Sequence, residues 1–172
     1  MKLPGVRRWF IGLENPMTVA HAMRTAAASI LSLWAARLLP FPQSYWAPIS
    51  TLVVMQSTLE ASVLLSVQRI AGTALGVSLG ALFSITFHHH LAAFGAGIFL
   101  IGILFAALRV ERSVFRYAGI ALAIMMLVPR AESAWTVAGH RFLEVSLGIA
   151  VALVVTAAWP ERRPASPGIG PG

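Results

Sequence analysis

The sequence predicts an all-α, polytopic membrane protein: six transmembrane helices in a bundle, with the N- and C-termini cytoplasmic. Three observations lead there. Hydrophobic residues are 58% of the 172 positions and charged residues 11%, and mean hydropathy is +0.78, which leaves too little polar surface to clothe a soluble globule. The apolar residues fall into long runs, and most of the charges and prolines lie between them. A membrane-crossing helix needs about 20 apolar residues, so the length admits roughly six crossings and no second soluble domain.

The elements follow in order. Residues 1–17 read as a cytoplasmic, interfacial segment, with Arg7 and Arg8 at lipid headgroups and Trp9, Phe10 and Ile11 dipping into the interface. The first span, 18–39, is longer than the core of a signal peptide and carries His21 and Arg24 near its start, so it reads as a membrane helix, closed by Pro40 and Pro42. The second, 44–59, holds Pro48 one turn from its start, where a missing amide is tolerated. The third, 62–87, ends at His88, His89 and His90, and the fourth is 91–108. Arg109, Glu111, Arg112 and Arg116 separate it from a short fifth span, 115–128. Pro129, Arg130 and Glu132 make a turn, the sixth span is 135–159, and a Pro/Gly-rich tail, 160–172, is expected to be disordered and cytoplasmic.

Orientation follows from the basic residues. Lys2, Arg7, Arg8, Arg109, Arg112, Arg116, Arg162 and Arg163 share one side of a six-span arrangement, and only Arg37 and Arg130 lie on the other. The richer side is cytoplasmic by the positive-inside rule. Tryptophan favours the bilayer interface, and Trp9 and Trp159 fall at the inner face, Trp46 and Trp135 at the outer. The net charge of +7 is therefore read as orientation in the lipid bilayer and not as a surface for nucleic acid.

A charge near the centre of a membrane helix costs roughly 2.5–3.5 kcal/mol on insertion scales, so the few that interrupt the spans are the informative residues. They are Arg24, Arg69, Arg141 and Glu144, with His21, Gln68 and His140 beside them. Gly72, Gly76 and Gly80 continue the helical face of Arg69 as a smooth stripe on which another helix can pack. Gly148 and Ala152 continue that of Arg141, and Ala28 and Ala35 that of Arg24. Arginines on packing faces point inward, an environment suited to anions. Glu144 reads either as the salt-bridge partner of Arg141, three residues before it, or as a proton-coupling site.

No catalysis is expected. The chain has no cysteine, hence no disulfide, thiolate metal site or cysteine nucleophile. No Ser/His/Asp set, phosphate-binding glycine loop or carboxylate pair stands at a recognisable spacing. Three consecutive histidines cannot all face one ion, so neither metal nor cofactor is expected.

Two stretches carry a resemblance. Tyr45-Trp46-Ala47-Pro48 with the apolar run to Gln56, and Gln68-Arg69-Ile70-Ala71-Gly72-Thr73 with its following glycines, resemble the fusaric acid resistance-like family of aromatic acid exporters. Arg24-Thr25-Ala26 is similar to the family's first span, and Arg141 to Glu144 through Gly148 to Trp159-Pro160 is similar to its last. Plant aluminium-activated malate transporters look like distant cousins. The resemblance implies a multi-pass module of a bacterial inner (cytoplasmic) membrane that works in pairs, here as a homodimer. It implies export or channel-like permeation of aromatic or other small organic anions, drawn by Arg24, Arg69 and Arg141 with His21 and Gln68 alongside. The competing expectation is a non-transporting scaffold or accessory subunit, whose arginines serve only packing.

Overall fold

A computed structural model of the chain describes residues 18–87, 91–129 and 131–160. The expected interfacial segment 1–17, the histidine triplet, Arg130 and tail residues 161–172 lie outside the described residues. The described residues form six helices and no strand: α1 (Val19–Leu38), α2 (Trp46–Val54), α3 (Leu59–Phe87), α4 (Leu91–Ala107), α5 (Arg112–Leu127) and α6 (Ala134–Ala158).

Local chemistry sets the boundaries. Thr18 caps α1 by accepting the His21 amide at 3.0 Å, and Ser133 caps α6 by accepting that of Thr136 at 3.2 Å. Helix α1 stops short of Pro40, since the residue before a proline disfavours the helical backbone. Arg109 adopts a φ of 52°, the left-handed turn that reverses the chain between α4 and α5.

Helices α3 and α6, of 29 and 25 residues, are long and apolar enough to cross a membrane, and α4 is apolar but shorter at 17 residues. At 1.5 Å per residue α3 is about 43 Å long and α6 about 38 Å. The helix expected over 44–59 is confined to the nine residues of α2. That is about 14 Å, under half the hydrocarbon thickness of a bilayer. The extended Met55 breaks what hydropathy alone reads as one helix running on to position 59.

The packing is that of a bundle with small, polar insides. Buried positions include Ser32, Ser50, Thr51, Ser62, Ser66 and Thr73, while Ile30, Trp34, Leu64, Phe99 and Val154 are more than half exposed. In water that distribution would be inverted; beside lipid, small residues let helices approach and large apolar ones meet acyl chains. Helices α3 and α5 run parallel. A Cβ added at Gly72 would sit 2.6 Å from the carbonyl oxygen of Val114, one at Gly80 would sit 2.6 Å from the Cβ of Met125, and one at Gly76 would overlap the carbonyl of Ala118. The glycine stripe is thus the α3–α5 seam. Helices α2 and α6 also run parallel, with Gly148 against the Ala47 backbone and Thr51 Oγ1 donating to Gly148 O at 2.8 Å. The inner face of α1 is Arg24, Ala28, Ser32 and Ala36, so Ala36 takes the place expected for the partly buried Ala35. Ile101 and Phe105 of α4 pack on Ala118 and Leu122 of α5.

A candidate anion site along the half-length helix

Helix α2 is where the buried charges meet. The linker 39–45 carries Gln43 to Glu144, so α2 begins beside the middle of α6 and ends level with its C-terminus. Three helices each send one arginine to it. Arg141 of α6 engages its start, Arg69 of α3 its middle and Arg24 of α1 its end. From Trp46 to Gln56 the series covers roughly 15 Å at helical rise.

Arg24 is 1% exposed. Its Nη1 donates to the Trp159 carbonyl at 3.0 Å and its Nη2 to that of Gln56 at 2.6 Å, with His21 Nδ1 at 3.3 Å from Nη2. These carbonyls lie at the C-terminal ends of α6 and α2, where helices leave acceptors unpaired and carry partial negative charge. Arg24 therefore binds three helix ends together.

Arg69 donates from Nε and Nη2 to Ser50 Oγ at 3.4 and 3.3 Å, and its guanidinium lies 5.1 Å from the ring centre of Tyr117. No carboxylate forms a salt bridge with it among the described residues. The adjacent Gln68 points elsewhere, accepting from Ser113 Oγ at 2.7 Å in the α3–α5 seam.

Arg141 and Glu144 do not meet in a direct salt bridge. Both turn to Gln43: Arg141 Nη2 donates to its side-chain oxygen at 2.7 Å, and its backbone amide donates to Glu144 Oε1 at 3.1 Å. Trp46 Nε1 donates to the same Gln43 oxygen at 3.1 Å, and the Arg141 guanidinium stacks 3.9 Å from the Trp46 ring centre. Nε and Nη1 of Arg141 are buried with no hydrogen-bond partner. Beside them is a cavity of about 190 Å³, lined by Gln43, His140, Arg141 and Glu144 within and by Pro42, Pro129, Ala131 and Glu132 at an exposed rim. His140 Nδ1 lies 3.6 Å from Glu132 Oε2 at that rim.

The description fusaric acid resistance protein-like belongs to the family whose model matches residues 27–155, three quarters of the chain. The chain belongs to this family. No curated protein and no solved structure matches it. Membership makes the chain a membrane protein of the transport and resistance class. The matched region of this fusaric acid resistance-like chain holds Gln43, Ser50, Arg69, Arg141 and Glu144, while His21, Arg24 and Trp159 lie beyond it.

Of the charged and polar residues singled out within the spans, Arg24, Arg69 and Arg141 are brought together along α2, and His140, Arg141 and Glu144 line the cavity. Gln43 and Ser50, which receive Arg141 and Arg69 on their side chains, carry no charge, and Gln56 receives Arg24 on a backbone carbonyl that any residue has. For Gln43 there was one local sign, an amide between Pro42 and Ser44 inside an apolar stretch.

Proposed function

We propose that this protein is an exporter or channel-like permease for aromatic or other organic anions, acting as a homodimer in a bacterial inner membrane. The observation behind it is the convergence of three buried arginines from α1, α3 and α6 on α2, against Glu144 as the one buried carboxylate among the described residues. A surplus of desolvated guanidinium groups attracts anions and repels cations. In this reading the chain crosses six times. The second crossing is a broken one, made of the linker 39–45 and α2, with the Gln43 amide of its irregular part satisfied by Glu144. Both termini then face the cytoplasm, alongside Arg109, Arg112 and Arg116.

Flux of benzoate and salicylate into proteoliposomes tests it. Wild-type protein is expected to pass them, and Arg69→Ala to lower the rate tenfold or more while keeping its oligomeric state. Vesicles with verified protein and no flux above empty ones overturn the reading.

The binding of Arg24 to backbone carbonyls favours a second reading for that end of the molecule, a scaffold or accessory subunit whose arginines only tie helices together. It expects Arg69→Ala to impair assembly, and a larger membrane partner to copurify.

A further inference from the structure

We propose that the cavity floored by Arg141 and Glu144 takes up one small monocarboxylate and one proton together, the anion on Arg141 and the proton on Glu144. The inference rests on the transport reading for its use and on the cavity for its evidence.

Arg141 is 3% exposed, yet its Nε and Nη1 have no acceptor. A buried N–H without a partner is rare in a folded protein, and here both belong to a charged group on a cavity wall. A carboxylate offers the acceptors they lack, and charge-assisted bonds of that kind are the strong ones. The volume of about 190 Å³ holds a compact acid of about benzoate size. Trp46 stacks on one face of the guanidinium and Gln43 takes Nη2, which fixes its plane.

Glu144 lines the same cavity and is 1% exposed. It accepts one backbone hydrogen bond, from Gln43, and has no salt bridge among the described residues. With Glu144 ionised, an incoming carboxylate meets a like charge across a narrow space of low dielectric. With Glu144 protonated, the site holds one cation and one anion. Anion affinity and protonation of Glu144 are therefore linked, each raising the other by the same factor. The titratable and charged groups around Glu144 are Arg141 and His140 on its own helix, with Tyr45 of the linker acting on Arg141. His140 stands one helical turn before Glu144 and reaches Glu132 at the exposed rim, which supplies a route for the proton.

Calorimetric titration of purified protein in detergent with benzoate, repeated in buffers of different ionisation enthalpy, reads the protons taken up per anion. One proton per benzoate is expected on the alkaline side of the Glu144 titration, with affinity falling about tenfold per pH unit there. Neutral benzamide should not bind, and chloride should not displace benzoate. Glu144→Gln should bind benzoate with no proton uptake, and Arg141→Ala should weaken binding at least tenfold. Ala131→Trp, at the exposed rim and clear of the buried network, should block entry in a protein that folds normally. Benzoate binding without proton uptake, uptake unchanged in Glu144→Gln, or binding unchanged in Arg141→Ala or Ala131→Trp overturns the proposal, as does equal binding of benzamide or chloride. No benzoate binding by wild type overturns it too. Flux in proteoliposomes without coupled proton uptake removes this inference and leaves the permease; coupled binding without flux does the reverse.

Discussion

At Gln43 one uncharged residue serves two buried charges of opposite sign, its amide oxygen toward Arg141 and its backbone N–H toward Glu144. Both charges thus share one neutral partner, and both line the cavity. Gln43→Leu removes the acceptor of Arg141 Nη2 and Trp46 Nε1, and a buried donor left unpaired costs about 1–3 kcal/mol. Reversible unfolding in mixed micelles should show a loss of that size. Ser50→Ala acts the same way one level down, stripping the hydroxyl from Arg69. Its unfolding free energy should fall by about 1–3 kcal/mol by the same measurement, with Tyr117 still stacked on the guanidinium.

Among the elements, α2 is the one whose placement makes the site, and a glycine on another helix decides that placement. A Cβ at position 148 would overlap the Ala47 carbonyl, so α2 can lie against α6 only where α6 has no side chain. Gly148→Ala must push α2 away, an overpacking that costs about 1–3 kcal/mol and lifts Ser50 and Gln43 from their arginines. Gly95 has no neighbour within 4 Å of an added Cβ, and Gly95→Ala should be neutral or stabilising by up to about 1 kcal/mol. Denaturation midpoints of the two variants in one detergent compare them directly.

For the whole molecule, the helix directions allow a stringent test of topology. Contacts place the start of α1, the end of α2 and the end of α6 at one end of the bundle, and the start of α3 meets that end through Ser62 and Gln56. In a six-crossing protein, single cysteines at Val19, Glu60 and Glu111 should react with an impermeant maleimide from the cytoplasmic side alone. One at Glu132 should react from the other side alone. The absence of native cysteine makes each label unambiguous. Labelling of Glu60 and Val19 from opposite sides would mean that the linker and α2 turn back within the membrane.

The sequence by itself determined the solvent and the class. Composition, the apolar runs and the placement of arginine in the gaps are one-dimensional quantities, and transfer to lipid depends on little else. It also marked the glycine stripe of α3 as a packing face, and the structure supplies α5 as the helix that fills it. Only the tertiary structure decided which charges share a site. Arg24, Arg69 and Arg141 stand in three helices far apart in sequence, and Gln68 sits beside Arg69 yet faces away. Hydropathy ran α2 on through residues 55–58 to position 59, since apolar residues look alike whether helical or extended. The break at Pro40, Pro42 and Met55 is what brings Gln43 and its polar backbone to the middle of α6, and that position comes from long-range packing of α2 on Gly148.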